Sequence, residues 1–402
     1  MNDRALLALL ALGTALRVGW ALLVAVDPVS DSNAYFVFAA TLAEHGVFGW
    51  NATHPDAYWP PGAPFLYSLA FRAIGIGGAA VVALNLALAA AKLVLAFLLT
   101  RTWFGRRAAI VATAGLACWP TQIAFTTVLS SEQAFDVALL ATGWAFERWW
   151  RNGTWTADVA IGTLLAAASY VRPTALPLAA GFALIAWTRG APFARVVRLA
   201  LVASAAMALL IAPWSVRNHQ LFGRWVAISA NGGANLWMGN NPNATGGYVA
   251  LPREVRGMNT AERDAYLGDA AKRWMRENPG RALALAARKL AVTYERETIG
   301  VVWNEKALAP AGPRVVLALK ALCSGFWWLA LIAALTGAAL RLRARGIVAC
   351  FSNPPIALWG YFALVHAITV GQDRYHLASV PFMAALAGFA LCKLMGSREV
   401  AG

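Results

Sequence analysis

Long apolar runs separated by short basic turns constrain this chain more than any other feature of its sequence. A helix that crosses a bilayer needs roughly 20 mainly apolar residues, and the first such window runs from Ala5 to Val26. Charged residues make up 13% of the chain and hydrophobic residues 59%, whereas a soluble chain carries about 25% charged residues. The composition therefore indicates a polytopic membrane protein with helical spans.

The first apolar window is interpreted as a retained span and not as a cleaved signal peptide. It contains Arg17, it lacks a clear small-x-small cleavage site, and it is longer than the apolar region of a signal peptide. The window therefore predicts the first of several membrane-spanning helices.

A formal net charge of +15 would suit a nucleic-acid-binding protein, but the distribution of the charge argues against that class. The basic residues cluster in turns between apolar runs: Arg101, Arg106, Arg107, Arg148, Arg151, Arg189, Arg195, Arg198, Arg341, Arg343 and Arg345. This is the positive-inside pattern, which orients spans in a membrane. It predicts cytoplasmic basic turns and cytoplasmic termini in a protein surrounded by membrane lipids, with no nucleic-acid partner.

The apolar runs predict an all-α protein of about ten spans that forms one membrane domain over residues 1–402. The predicted spans are 5–26, 78–101, 107–122, 131–150, 155–171, 174–188, 195–213, 315–340, 347–370 and 375–394. Two outer regions remain, a first outer loop at 27–77 and an outer cap at 214–314. Four interfacial helices are expected in them: Asn33–His45, Ala63–Ile74, Thr260–Glu277 and Arg281–Tyr294.

The first outer loop begins with a carboxylate pair, Asp27 and Asp31, directly after an apolar run, and it closes on Trp59 followed by Pro60 and Pro61. Asp31 has two interpretations. It is a cap for the helix that follows, or it is a general base that faces an outer cavity. Asp27 is interpreted as an interfacial acid.

Two more acids start a later span, Glu132 and, one turn deeper, Asp136. Carboxylates inside a membrane helix normally face a cavity or a partner. Arg17 or Lys92 is the expected partner of Asp136. Glu132 is either a first-turn acid that the helix dipole favours or part of a substrate site.

Three isolated arginines at predicted outer turns, Arg172, Arg217 and Arg374, break the positive-inside trend. Either they extend to the interface as isolated side chains, or they form a cluster that binds an anionic headgroup through forked hydrogen bonds. Asn218 adjoins the second of them. Asp373 is a candidate to neutralise Arg374.

The stretch from Ser229 to Tyr248 is rich in Gly and Asn and includes Asn235. It carries no dinucleotide or Walker pattern. Asn side chains suit a hydroxyl-rich ligand, and a turn-rich loop is the alternative. Neither a zinc site nor a disulfide framework follows from the scattered cysteines. An outer metal site formed by His54, Asp56 and Asp31 is a weak alternative.

Four motifs together resemble the integral-membrane C-type glycosyltransferases that use polyprenyl-phosphate sugars, such as bacterial protein O-mannosyltransferases and lipid A aminoarabinose transferases. These motifs are Asp31 with Tyr35 ahead of Tyr58-Trp59-Pro60-Pro61-Gly62; Ser131-Glu132; Val171-Arg172-Pro173-Thr174; and Pro213-Trp214 through Gly247, continuing to Asp373-Arg374-Tyr375.

The resemblance implies an all-helical bundle and a catalytic Asp31 in the first outer loop. The donor would be a sugar on a polyprenyl monophosphate, and the acceptor an extracytoplasmic glycan, lipid or protein with a hydroxyl or amine. Arg172, Arg217 and Arg374 would bind the donor phosphate. The substrate-binding residues would be Glu132, Tyr35, Tyr58, Asn218 and Asn235. No cofactor is required, although a divalent metal is compatible with the chemistry.

A lipid-linked-sugar or solute transporter remains the alternative function. Transporters commonly show repeated halves with broken helices near the midplane. In this chain the halves do not match, and the polar residues gather at one predicted face. An outer cavity that joins Asp31 to the arginines would favour the enzyme.

Overall fold

The computed structural model describes residues 3–396, and the terminal residues 1–2 and 397–402 lie outside this range. The described chain is mainly helical, with one short antiparallel pair, β1 (Gly49–Asn51) and β2 (His54–Pro55). The α-helices are α1 (Arg4–Leu23), α2 (Asp31–His45), α3 (Gly62–Ile74), α4 (Gly78–Cys118), α5 (Pro120–Ala124), α6 (Glu132–Asn152), α7 (Trp155–Val171), α8 (Leu178–Thr188), α9 (Phe193–Phe222), α10 (Gly232–Gly239), α11 (Thr260–Glu277), α12 (Pro279–Tyr294), α13 (Ile299–Val302), α14 (Glu305–Leu308), α15 (Pro313–Arg345), α16 (Ala349–Ser352), α17 (Pro354–Ile368) and α18 (Val380–Leu394).

The fold class predicted from the sequence is confirmed. Within residues 3–396, five helices are long and apolar enough to cross a membrane, and a bent pair made by α5 and α6 would be a sixth. Three further apolar helices are shorter, at Trp155–Val171, Pro173–Thr188 and Pro354–Ile368. The ten predicted spans fall on these segments, so the sequence located the apolar helices but not their individual lengths.

Two of the predicted spans, 78–101 and 107–122, correspond to the two halves of α4, which are two helices joined at Gly105. Gly105 has φ 85° and ψ 172°, a conformation that glycine adopts without the steric cost of a Cβ atom. Next to the break, Arg106 forms an ion pair with Asp3 at 2.9 Å. A Cβ at Gly13 of α1 would meet both Leu93 and Ala117, one from each half of α4, so the chain turns back at Gly105. The basic turn therefore connects two helices, as the sequence predicted.

The centre of the bundle is formed by α4, which packs against α1, α6 and α18, while α7 packs against α6 and α9. Small residues allow the closest contacts, as is usual among membrane helices. A Cβ at Gly162 of α7 would lie 2.4 Å from the carbonyl oxygen of Ala203 in α9. Glycine at this position therefore sets the α7–α9 spacing.

Two cations inside the bundle have polar partners, one a carboxylate and one a set of backbone carbonyls. Lys92 lies 3.3 Å from Asp136, which confirms one of the two partners expected for that acid. Arg17 instead donates to the carbonyl oxygen of Ala117 at 3.0 Å and to that of Leu116 at 3.3 Å. These carbonyls belong to the last turn of α4, whose final C=O groups have no intrahelical partner. Arg17 is therefore a cap for α4.

The outer regions fold as helices close to the boundaries expected from the sequence. In the first outer loop, α2 and α3 pack against each other, and α2 begins at Asp31, two residues earlier than predicted. In the outer cap, α11 begins with a capping box between Asn259 and Glu262 and packs against α10. Residues of both regions, Tyr58 and Asn235 among them, line one cavity with the start of α6 and the end of α7, so the two regions meet at that end of the bundle.

The opposite end of the bundle carries the basic turns. There Arg189 pairs with Glu147 at 3.0 Å, and Arg198 pairs with Asp158 at 2.7 Å. Hereafter this is the basic end, and the end formed by the two outer regions is the outer end.

Candidate active site

A cavity of about 680 Å³ opens at the outer end, between the first outer loop, the outer cap and the turns that join the apolar helices. Its charged lining residues are Asp31, Arg172, Arg296, Asp373 and Arg374. Its aromatic and amide lining includes Tyr35, Tyr58, Trp59, Asn231, Asn235, Tyr248, Trp303 and Tyr375. Its apolar lining includes Val171, Met238, Ile299 and Phe362. The cavity thus joins the predicted acid to two of the three predicted arginines.

Asp31 is the first residue of α2, and its Oδ2 accepts a hydrogen bond from Nη2 of Arg374. The two side chains form an ion pair on the cavity wall, with the Asp31 side chain 29% exposed. Oδ1 has no hydrogen-bond partner within the described residues. One oxygen is thus oriented by a cation while the other remains available to a ligand.

The capping interpretation of Asp31 is wrong. The residue before α2 is Ser30, and no side chain caps the helix there. Ser30 is the one non-glycine residue with positive φ among residues 3–396, at φ 52°. A conformation of this kind costs about 1–3 kcal/mol, and such residues cluster at functional sites. The strained residue directly precedes the carboxylate that the cavity exposes.

Arg172, which follows α7, is held by the start of α6. Its Nε donates to Oγ of Ser131 at 2.9 Å, and its Nη2 lies 2.5 Å from Oε1 of Glu132. Glu132 is only 2% exposed and does not line the cavity, whereas Ser131 and Arg172 do. Glu132 therefore orients the arginine and has no direct access to a ligand.

Asp373 does not neutralise Arg374, contrary to the alternative raised from the sequence. Its Oδ2 instead accepts hydrogen bonds from Thr298, from the backbone N at 3.2 Å and from Oγ1 at 2.8 Å. Arg374 packs over Trp303, with its guanidinium carbon 4.9 Å from the ring centroid. The charge of Arg374 is thus directed to Asp31 and the cavity.

Arg217 and Asn218 lie away from the cavity. Arg217 donates to the carbonyl oxygens of Asp56 at 2.9 Å and Phe48 at 3.1 Å, and Asn218 donates to Val226 at 3.0 Å. Asn218 is fully buried, and neither residue is part of the cavity lining. These side chains join the first outer loop to the outer cap, so the fold does not bring them together with the other predicted site residues.

Arg296 is a cavity residue that the sequence analysis missed. It follows the end of α12 and lines the cavity with a side chain that is 62% exposed. A signal for this residue was present in the sequence: the arginine lies just beyond a predicted interfacial helix, in the run of residues at 294–297. It was obscured by the many other basic residues of the outer cap.

Tyr35, Tyr58 and Asn235 line the cavity together, as the resemblance implied. Burial, together with the negative charge of Asp31, raises the pKa of Tyr58 to about 12. Burial likewise raises the pKa of Tyr35 above its usual value, with a smaller contribution from Asp31. Both phenols therefore keep their protons at neutral pH and present hydroxyl groups.

The metal site suggested for His54, Asp56 and Asp31 does not form. Oδ1 of Asp56 accepts from the backbone N of Ala57 and from Thr260, and its Oδ2 accepts from Trp50. Among residues 3–396, no group of three or more His, Cys, Asp or Glu side chains is arranged to hold a metal ion.

No family model matches the sequence, and no curated protein matches it either. Solved structures do resemble it. The oligosaccharyltransferase AglB from Archaeoglobus fulgidus, in complex with an inhibitory peptide and a dolichol-phosphate, has a TM-score of 0.58 at 15% identity. The match covers 97% of this chain and 50% of AglB. The chain has the fold of these membrane glycosyltransferases.

Two other solved structures resemble this chain as well. The A. fulgidus oligosaccharyltransferase with Zn and sulfate has a TM-score of 0.54 at 16% identity, covering 96% of this chain and 49% of that one. ArnT from Cupriavidus metallidurans, bound to undecaprenyl phosphate, has a TM-score of 0.45 at 16% identity, covering 96% and 77%. The chain thus spans about half the length of the oligosaccharyltransferases it matches. The fold implied by the motifs is confirmed.

Proposed function

We propose that this protein is an inverting glycosyltransferase of a bacterial inner membrane. It would move a sugar from a polyprenyl monophosphate to a hydroxyl or amine of an extracytoplasmic glycan, lipid or protein. The observation that carries the proposal is the Asp31–Arg374 ion pair on the wall of a cavity that Arg172 and Arg296 also line.

Asp31 is the proposed general base. Its Oδ1 takes the proton from the acceptor as the acceptor atom attacks the anomeric carbon of the sugar. In the same step the bond between that carbon and the phosphate oxygen breaks, and the electron pair leaves with the phosphate. Displacement from the opposite face inverts the anomeric configuration.

Arg172, Arg296 and Arg374 are the proposed stabilisers of the leaving phosphate. Polyprenyl monophosphate gains negative charge as it departs, and fixed cations in a partly water-excluded site stabilise that charge more than they would in water. Arg172 and Arg374 are each held by a carboxylate and have side chains only 14% and 12% exposed. Their positions are therefore set before the donor binds, which lowers the reorganisation that the reaction requires.

The sugar itself would contact the aromatic and amide wall. Tyr35 and Tyr58 present protonated hydroxyl groups, and Asn235 offers both a donor and an acceptor. Glu132 would act indirectly, through Arg172. As proposed, the step runs on the side chains of this chain without a cofactor, and a divalent metal is compatible with it.

Arg217 and Asn218 are not assigned to the donor site, since they are engaged by the backbone of the outer regions. The positions of the charged residues favour an enzyme over a transporter. They come from the ends of helices and the turns between them, whereas a transporter binds its substrate near the midplane.

The test is a transfer assay with the purified full chain in lipid nanodiscs. A panel of synthetic polyprenyl-phosphate sugars would be supplied with hydroxyl and amine acceptors. The expected products are free polyprenyl phosphate and a glycoside of inverted configuration, identified by NMR. A retained configuration, or no release of polyprenyl phosphate from any donor in the panel, would contradict the proposal.

A further inference from the structure

A buried carboxylate–imidazole pair lies behind the cavity and has no part in the proposed chemistry. Glu297 Oε2 is 2.8 Å from His376 Nε2, and both side chains are fully buried. Oε1 of Glu297 accepts a hydrogen bond from Trp119 at 2.7 Å, and the imidazole of His376 stacks on Trp327 with the ring centroids 3.8 Å apart. Every polar atom of the pair therefore has a partner.

The hydrogen bonds of this pair require one shared proton. Nδ1 of His376 lies 2.7 Å from the carbonyl oxygen of Thr293, which can only accept, so Nδ1 carries a proton. Nε2 faces a carboxylate oxygen, and a bare nitrogen and a bare carboxylate would repel each other. One proton must therefore lie between Nε2 and Oε2, and it makes the contact a strong link rather than a neutral packing contact.

The pair joins the two chain segments that deliver arginines to the cavity. Arg296 immediately precedes Glu297, and Arg374 is two residues before His376. The hydrogen bonds from Thr298 to Asp373 add a second link between the same segments. Neither Glu297 nor His376 lines the cavity.

We propose that Glu297 and His376 are positioning residues that hold Arg296 and Arg374 at a fixed separation for one phosphate group. This inference rests on the proposed function. The link acts through the backbone of residues 296–298 and 373–376, and breaking it lets the two arginines move apart. A displacement of about 1 Å in binding groups can reduce a rate on the order of 100-fold.

Three variants separate positioning from general stability. Glu297→Ala removes the link. Glu297→Gln keeps it without the shared proton, because the amide can donate to Nε2 of a neutral His376 while its oxygen accepts from Trp119. The control is Asp158→Ala at the basic end, where a fully buried carboxylate also accepts from a tryptophan, Trp149, and pairs with a cation, Arg198.

The first readout is amide hydrogen exchange of the full chain without ligand. In Glu297→Ala we expect faster exchange at Thr298, whose amide donates to Asp373, and at Leu377, whose amide donates to Arg374. Glu297→Gln and Asp158→Ala should leave both sites protected. Unchanged exchange in Glu297→Ala, or an equal increase in Asp158→Ala, overturns the inference. Should Glu297→Ala not fold, His376→Phe removes the same link while keeping the stack on Trp327 and is expected to give the same pattern.

The second readout is equilibrium binding of a synthetic polyprenyl monophosphate in nanodiscs. Glu297→Ala should bind it at least about tenfold more weakly than the wild type, and Glu297→Gln within about twofold. Absence of binding to the wild type would count against the proposed donor. The exchange data alone would then decide whether the Glu297–His376 contact holds the two segments together. Wild-type binding together with equal affinity in Glu297→Ala overturns the positioning role while leaving the proposed function intact.

Discussion

Asp31 and Arg374 are 343 positions apart in the sequence and form an ion pair on the wall of one cavity. The acid begins the first helix of the outer loop, and the arginine lies in the turn that precedes the last apolar helix. The first and last parts of the bundle thus meet at this contact. It fixes one carboxylate oxygen of Asp31 and leaves the other open to a ligand in the cavity.

Asp31→Asn is expected to abolish sugar transfer while the protein still folds, because an amide cannot accept the proton of the acceptor. Transfer by the purified variant should fall to background, with unfolding temperature near that of the wild type. The control is Asp27→Asn, since Asp27 lies four residues earlier, pairs with Lys306 at 2.9 Å and does not line the cavity. Near-normal turnover by Asp31→Asn would reject the general-base assignment.

Arg172→Ala is expected to weaken donor binding by on the order of 10- to 100-fold, because a hydrogen bond to a charged group contributes about 1.5–3 kcal/mol. The apparent KM for the polyprenyl-phosphate sugar measures this, with the KM for the acceptor as the internal reference. An unchanged donor KM would remove Arg172 from the phosphate site.

Arg217→Ala is expected to behave differently, although the sequence placed Arg217 in the same group. Its guanidinium bonds the carbonyl oxygens of Phe48 and Asp56, so its loss should lower the unfolding temperature and loosen the first outer loop. Donor KM in the folded fraction should stay within about threefold of the wild type, below the effect of losing one charged hydrogen bond. A large increase in donor KM with normal stability would restore the original assignment.

Gly233→Ala is expected to destabilise the outer cap, because the new Cβ would lie 1.9 Å from the carbonyl oxygen of Asp264 and would force α10 away from α11. Overpacking of this kind costs about 1–3 kcal/mol. The neighbouring Gly232→Ala is the control, since its Cβ would meet no atom within 4 Å. Thermal unfolding should fall for the first variant and not for the second; equal values would show that the cap tolerates the strain.

The stability of the wild type should rise with pH above about 8 because of Lys289. This side chain is fully buried and donates to Asn240 and to the carbonyl oxygen of Ile368. Burial lowers its pKa from 10.5 to about 8. Between these two values the unfolded chain binds more protons than the folded one, so the free energy of unfolding increases by at most about 1.4 kcal/mol per pH unit.

Unfolding profiles from pH 7 to 10.5 check this expectation. Lys289→Met should lack the rise, whatever its stability at neutral pH. Lys272→Met should keep it, because Lys272 is exposed and pairs only with Asp269. Parallel profiles for the wild type and Lys289→Met would show that another group is responsible.

The sequence predicted the helices of this protein well, because apolar length and local caps decide them. α11 was predicted at Thr260–Glu277 and lies there, with its capping box formed by residues three apart. The break at Gly105 lies in the basic turn between the predicted spans 78–101 and 107–122, because the clustered arginines there interrupt the apolar run.

The candidate site was predicted in part. Asp31, Arg172, Arg374, Tyr35, Tyr58 and Asn235 share the cavity, as the motifs implied. Arg217 and Asn218 have the same local signature, a polar pair at the end of an apolar run, but the backbone of two loops surrounds them. Arg296 was missed because its neighbours in the sequence are also charged.

The sequence by itself determined the helical class of this protein, the location of its apolar helices and the residue types able to carry acid–base and phosphate chemistry. These properties follow from composition and from contacts within a few residues along the chain. Only the tertiary structure decided that Asp31 pairs with Arg374, that Glu132 holds Arg172, and that Glu297 meets His376. Each of these pairs joins residues at least 40 positions apart, and their proximity depends on how the helices pack, which no local pattern encodes.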